Sequence, residues 1–307
     1  MKKRQLGSSD LFVSEMGLGC MSLGTDEKEA NYIIKSALDH GVNYFDTADL
    51  YDFGVNEEIV GKALKSVRDE VIIATKVGNK WGNEKDGWIW DASKAYIKEA
   101  VKKSLLRLQT NYIDLYQLHG GTMADNHEEV IEAFEELRRE GIIRYYGISS
   151  IRPNVIQSFA TQSNIISVMM QYSLLDRRPE EWVSILTEHR ISMIARGPIA
   201  KGILTEKTLE KSSISIQENG FLDYSYNQLE SLLLSLKDHF STQRSIQEVA
   251  FQYILSCDVV GSVIPGASNA AQVIDNIKAV QAKPLTDEEL QFLRSITIAN
   301  KYQQHRL

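Results

Sequence analysis

Three polar residues close apolar runs in the first half of this chain: Asp46 ends Tyr44-Phe45-Asp46, Lys76 ends Ala74-Thr75-Lys76, and His119 ends Leu115-Tyr116-Gln117-Leu118-His119. Tyr51 follows Asp46 on the next loop. Singly, each has an ordinary role as a capping residue, a solvated strand end or a packing ring. Together they are an acid, a cation, an imidazole and a phenol, and at the rim of a core such groups must neutralise one another. The set suits proton delivery to an oxygen that gains negative charge, as a carbonyl oxygen does when hydride adds to its carbon. Tyr51 would give the proton and Lys76 would stabilise the phenolate left behind. Asp46 would keep Lys76 charged and in place, and His119 would orient the carbonyl and share the proton.

Such residues meet only if their strands lie side by side. Short β-branched or apolar runs alternate here with longer amphipathic segments, the pattern of βαβ units and a parallel sheet. Strands are predicted near Glu15 to Gly19, Asn43 to Asp46, Val71 to Lys76, Tyr112 to Leu118, Ile142 to Ser149, Ile166 to Gln171, Ile191 to Arg196 and Val259 to Pro265. Helices are predicted over Lys28 to Asp39, Glu57 to Ser66, Ser93 to Leu108, Glu128 to Glu140, Pro153 to Ala160, Glu180 to His189, Ser245 to Leu255 and Ala270 to Val280. Gly41, Gly141 and Pro153 punctuate them as helix ends and starts require. Eight such units in about 250 residues are the size of a (β/α)8 TIM barrel, whose active sites lie at the C-terminal ends of the strands.

The remainder falls in three places. Gln5 to Val13 reads as an N-terminal hairpin, Lys201 to Thr242 as a long insertion, and Leu285 to Leu293 as one more helix. No linker, low-complexity tract or repeat marks a boundary, so one domain over 1–307 is expected. A doubly wound sheet would want a G-x-G-x-x-G turn, and Gly17-Leu18-Gly19-Cys20-Met21-Ser22 lacks the third glycine.

Composition narrows the partners. The formal net charge of -7 and a pI near 5.5 argue against nucleic acid or an anionic membrane surface. No run reaches the ~18 apolar residues that a membrane span needs, and the basic start lacks a signal-peptide core. Two cysteines, Cys20 and Cys257, are too few for a disulfide framework and stand in no metal-ligand spacing. A cytoplasmic protein with a small-molecule partner and no metal is expected. A metal-dependent hydrolase on the same barrel would want H-x-H after the first strand, where Gly19-Cys20-Met21-Ser22 offers none.

Several longer motifs add a resemblance. Gly17-Leu18-Gly19, Asn43-Tyr44-Phe45-Asp46-Thr47-Ala48 with Tyr51, Asn56-Glu57-Glu58-Ile59-Val60-Gly61, Ala74-Thr75-Lys76, Tyr112-Ile113-Asp114-Leu115-Tyr116-Gln117-Leu118-His119, Gly147-Ile148-Ser149 and Ile264-Pro265-Gly266-Ala267-Ser268 stand in one order. Over essentially its whole length the chain resembles the aldo-keto reductases, in particular the bacterial general-reductase branch near the potassium-channel beta subunits. The resemblance implies reversible NADPH-dependent reduction of aldehydes or ketones by the Asp46, Tyr51, Lys76, His119 tetrad. The alternative it carries is an NADP(H)-binding regulatory or redox-sensing subunit with little turnover.

The resemblance also implies a cofactor extended across the barrel mouth, with Ser149 and Gln171 on the nicotinamide carboxamide. Barrels often bind phosphate between the last two strand loops and a helix N-terminus. Those loops are Arg196-Gly197-Pro198-Ile199-Ala200-Lys201-Gly202 and Pro265-Gly266-Ala267-Ser268-Asn269. Lys201 and Lys207 are candidates for the pyrophosphate, and Ser268, Gln272 and Asn276, with Asp275, for the adenosine end. Cys20, Met21 and Asp46 complete the candidate cofactor set. Arg196 stands where many relatives stack an aromatic ring on the nicotinamide, and its guanidinium plane can stack too. Gly266 and Gln272 stand where many place Lys or Arg on the 2'-phosphate, so NADH is a weaker second cofactor. On the substrate side, Trp81 and Trp88 lie with Trp90 on the loop after Lys76 and are expected to form an aromatic wall beside Tyr51 and His119. Phe221, Tyr224 and Tyr226 in the insertion are expected to cover the cofactor as a lid.

Overall fold

Parallel strands buried on both faces need apolar residues pointing two ways, and the chain supplies them with a period of two. A computed structural model describes residues 1–82, 87–206, 209–240 and 243–306. An N-terminal hairpin, β1 (Lys3–Gln5) and β2 (Phe12–Ser14), precedes β3 (Leu18–Gly19), β4 (Tyr44–Asp46) and β5 (Ile72–Val77). A small hairpin, β6 (Asn79–Lys80) with β7 (Ile89–Trp90), follows, then β8 (Ile113–Leu118), β9 (Ile143–Ser149), β10 (Ser167–Gln171), β11 (Ser192–Arg196) and β12 (Val260–Ile264). Eight of these strands pair in parallel in the order β12-β11-β10-β9-β8-β5-β4-β3. The sheet closes on itself where Met16 bridges Val263 and Gly19 bridges Gly266. The Gly17 N–H donates to Val263 O at 2.9 Å and the Gly19 N–H to Pro265 O at 3.0 Å. The expected (β/α)8 barrel is the fold.

The helices are α1 (Glu27–Asp39), α2 (Val55–Leu64), α3 (Lys94–Leu108), α4 (His127–Arg139), α5 (Pro153–Gln162), α6 (Val183–Glu188), α7 (Ile214–Asn219), α8 (Tyr226–Phe240), α9 (Ile246–Leu255), α10 (Ala270–Val280) and α11 (Asp287–Ile296). Side-chain oxygens meet the first N–H groups of several. Asp26 opens α1, and Ser245 with Glu248 forms a capping box on α9. Gly41 and Gly141 adopt the left-handed backbone after α1 and α4. Two segments depart from the expected helices. The second α-helix ends at Leu64 and continues as a 3-10 stretch over Lys65–Glu70. The sixth begins as a 3-10 turn at Arg178–Trp182, where Pro179 removes a backbone donor.

Alternation divides the core in two. Tyr44, Ile72, Ala74, Leu115, Ile166, Met169, Ile194 and Ile264 fill the barrel, and Leu6, Leu11 and Val13 from the N-terminal hairpin join that cluster. Their strand neighbours, among them Phe45, Ile73, Tyr116, Val168, Met193 and Val263, pack outward against the helices. The hairpin therefore plugs the N-terminal end, and polar inward residues collect at the other.

Candidate active site

The inward parity of each strand, carried to its last residues, selects the site. On β5 the inward series runs Ile72, Ala74, Lys76; on β4 it runs Tyr44, Asp46; beyond β8 it runs Leu115, Gln117, His119. On β9, β10 and β11 the same parity ends at Ser149, Gln171 and Arg196. Period two thus places every strand-end candidate at one mouth.

Lys76 is fully buried and its ammonium has three acceptors. Its Nζ donates to Asp46 Oδ1 at 2.5 Å, to Thr47 O at 2.7 Å and to the Tyr51 hydroxyl at 3.3 Å. An ammonium has three donors, so all are used. Burial pulls the Lys76 pKa down, but Asp46 and Tyr51 outweigh it and hold the group above the ordinary lysine value. Lys76 stays charged. The Tyr51 and His119 rings meet edge to face with centroids 6.0 Å apart. Burial first, then the charges of Lys76 and Arg196, push the His119 imidazole down to about 3. It is therefore neutral, and its Nδ1 is buried without a partner.

The sequence did not single out Gln117, whose amide donates to Asp46 Oδ2 at 3.2 Å. Its parity with Leu115 and His119 was the available signal. Nor did it single out Asn56, which accepts from the Thr47 hydroxyl at 2.7 Å and donates to Cys20 O at 2.8 Å. Asn56 ties the segment after β3 to the loop after β4 that begins at Thr47. Asp49, on that loop, is buried with Oδ1 unpartnered, and burial followed by nearby Glu57 holds its carboxyl well above the usual range. Burial and Asp46 likewise raise the Cys20 thiol.

The cofactor candidates divide. Arg196 Nη1 donates to Gln171 Oε1 at 3.1 Å, which orients the Gln171 amide nitrogen as a donor. Ser149 is half-buried, Gly197 exposed, Pro198 buried and Ile199 half-buried along the rim. Cys20 is buried whereas Met21 is 63% exposed. Lys201 is exposed in a left-handed turn, and Lys207 lies outside the described residues. Ser268 precedes α10, and its N–H and hydroxyl donate to Gln272 Oε1 at 2.9 and 3.2 Å. Gly266 is exposed. Asn276 is buried and accepts from Gln247 at 2.6 Å, while exposed Asp275 pairs with Lys278.

The tryptophans do different things. Trp81 Nε1 donates to Asp49 O at 3.1 Å and its ring meets Phe53 edge-on, so it contacts the residues two before and two after Tyr51 in the chain. Trp90 bonds Asp125, and Trp88 is 55% exposed. The lid reading of the insertion aromatics is corrected: Phe221 and Tyr224 are buried in the outer core, half-buried Tyr226 packs against it, and the Tyr224 hydroxyl accepts from the Ile298 N–H. These rings pack the insertion into the outer core, and Tyr224 ties it to the segment after α11. Among the described residues, no group of three or more His, Cys, Asp or Glu could hold a metal ion, and no helix is long and apolar enough to cross a membrane.

A family model described as "Aldo/keto reductase family" matches residues 15–298. The chain belongs to the aldo/keto reductase family. It is 56% identical over the full length of both chains to "Uncharacterized oxidoreductase YqkF" of Bacillus subtilis. The holo form of aldo-keto reductase AKR11C1 from Bacillus halodurans superposes with a TM-score of 0.95, at 57% identity, covering 100% of each chain. A "Probable voltage-gated potassium channel subunit beta" of Arabidopsis thaliana is 29% identical, with 93% of each chain covered. Family membership makes this an oxidoreductase of the aldo-keto class, and enzymes of the class use nicotinamide cofactors.

Proposed function

We propose that the protein reduces aldehydes or ketones to alcohols, reversibly, with NADPH, and that Tyr51 is the proton donor. One observation carries this reading: Lys76 donates to the Tyr51 hydroxyl oxygen. An oxygen that accepts from Lys76 keeps its own proton for another partner. A carbonyl oxygen in the mouth is that partner, and neutral His119 supplies a second polar contact that orients it. Lys76 stabilises the phenolate that forms, and Asp46, braced by Gln117, holds Lys76 charged.

The residues present suit a nicotinamide dinucleotide. The buried but unpartnered Nδ1 of His119 and Oε1 of Gln117 lie at the mouth, and Arg196 brings a positive charge there, that of Lys76 being balanced by Asp46. Ser149 and Gln171 would hold the carboxamide, the Arg196 guanidinium would lie on the ring, and the 197–201 and 266–276 segments would hold the phosphates and adenosine. When bound, the nicotinamide supplies the hydride. Trp81 and the His119 loop would face the carbonyl compound. Two free cysteines, Cys20 buried and Cys257 half-buried, accord with a reducing cytoplasm.

The test is NADPH consumption with a panel of aldehydes by wild type and Tyr51→Phe. The enzyme reading expects turnover by wild type and a loss of about a hundredfold or more in Tyr51→Phe. Equal turnover would remove Tyr51 from the mechanism. Tight NADPH binding with no reduction of any aldehyde would leave a nucleotide-binding regulatory subunit instead.

A further inference from the structure

We propose that Arg107, on α3 outside the barrel, is a positioning residue for Tyr51. This rests on the reading of Tyr51 as the proton donor. The loop that carries Tyr51 has an uncommon backbone. Asp52, Phe53 and Gly54, the three residues after Tyr51, have φ of 48°, 51° and 90°. Non-glycine residues rarely adopt that region, and two in succession persist only where their surroundings hold them.

The holding contacts come from one side. Trp81 Nε1 donates to Asp49 O at 3.1 Å, and the Trp81 ring meets Phe53 at 5.8 Å with planes 77° apart. Tyr51 lies between those two gripped residues in the chain. Trp81 in turn has the Arg107 guanidinium 5.9 Å from its ring centroid. The Arg107 stem also covers Gly54, since a Cβ there would stand 2.8 Å from Arg107 Cδ and 3.3 Å from Trp81.

Arg107 is itself fixed. Its Nε donates to Glu57 Oε2 at 2.6 Å, and Glu57 is fully buried. The other Glu57 oxygen accepts from the Thr75 hydroxyl at 2.6 Å. Thr75 precedes Lys76 on β5, so one network runs from the strand that carries the cation to the loop that carries the phenol. Arg107 touches neither Lys76 nor Tyr51. Its effect is to set the separation between them, and a misplacement of the donor by an ångström is costly to the chemical step.

Arg107→Lys keeps a cation beside Glu57 and loses the planar group over Trp81. Expected are an unchanged NADPH affinity, a kcat lowered between about ten- and a hundredfold, and a larger isotope effect on kcat with NADPH deuterated at the transferred position. A merely structural role would lower the amount of folded, NADPH-binding protein and leave kcat per binding site and the isotope effect alone, and that result overturns the proposal. Arg107→Met combined with Glu57→Leu removes both charges together, so neither is left buried alone. Wild-type kcat in either variant also overturns it. Tyr51→Phe in the same assay separates the two ideas: if it turns over normally, the proton-donor reading fails, and with it the basis of the clamp. If Tyr51→Phe is inactive while Arg107→Lys is fully active, only the clamp fails.

Discussion

The ammonium of Lys76 shows how much of the site is a single charge held in place. Its three donors reach Asp46, Thr47 and Tyr51, and it is buried beside a buried carboxylate. Lys76→Met would leave Asp46 buried without its counter-charge, a loss of about 3–5 kcal/mol for a broken buried pair. Denaturant unfolding should show that loss, together with abolished turnover. A destabilisation under 1 kcal/mol would mean that water reaches Asp46. His119 gives a pH test. Its folded value near 3 lies below the ordinary histidine value. Between the two, the unfolded chain binds a proton that the folded chain does not, so this residue's contribution to stability falls as pH falls through that window. At and above neutral pH the term is absent. The slope of melting temperature between pH 6.5 and 4 should be shallower in His119→Asn than in wild type, and kcat should show no break near 6.5. A break there, removed by His119→Asn, would show that the imidazole titrates in its ordinary range.

At the scale of elements, the strand ends were legible because each needs only parity. Asp46, Lys76 and His119 follow from the ends of apolar runs, whereas Ser149, Gln171 and Arg196 entered through the family resemblance and share the same inward parity in the fold. Gln117 obeyed the same count but sits inside the run, where a polar residue reads as an interruption. The Glu57–Arg107 pair was beyond reach, because nothing local in either helix reveals that α2 and α3 touch. The insertion aromatics failed for a related reason. Phe221 and Tyr224 are apolar enough to be a lid or an anchor, and only the outer wall decides. The contact of α2 with α3 can be tested directly. A Cβ on Gly61 would stand 2.5 Å from the Leu108 backbone, which cannot rotate away. Gly61→Ala should push the helices apart and cost about 1–3 kcal/mol in thermal or denaturant unfolding, as overpacking does. Glu57 lies one turn before Gly61 and Arg107 precedes Leu108, so kcat should fall as well. Unchanged stability would show that α2 shifts without strain.

For the whole molecule, closure decides where a ligand can sit. The N-terminal hairpin fills one end of the barrel, the last strand returns to the first, and the remaining mouth holds Arg196, with Lys76 balanced by Asp46, on a chain of net charge -7. A local cationic end on an acidic body favours a compact anion over an extended polyanion. The distinction between NADPH and NADH is finer, because Gln272 brings no charge to the adenosine end. Its carbonyl oxygen is taken by Ser268, so on the proposed reading its amide nitrogen would serve as a neutral donor to a 2'-phosphate. Binding to the folded state alone stabilises by about 2.7 kcal/mol at a hundred times Kd. For a chain of 307 residues that is a rise of about 4 °C in melting temperature. At equal concentration NADPH should raise the melting temperature more than NADH, and Gln272→Ala should narrow the gap by lowering only the NADPH shift. Equal shifts in wild type would end the case for an NADPH preference, whereas equal losses in Gln272→Ala would move the 2'-phosphate contact to another residue.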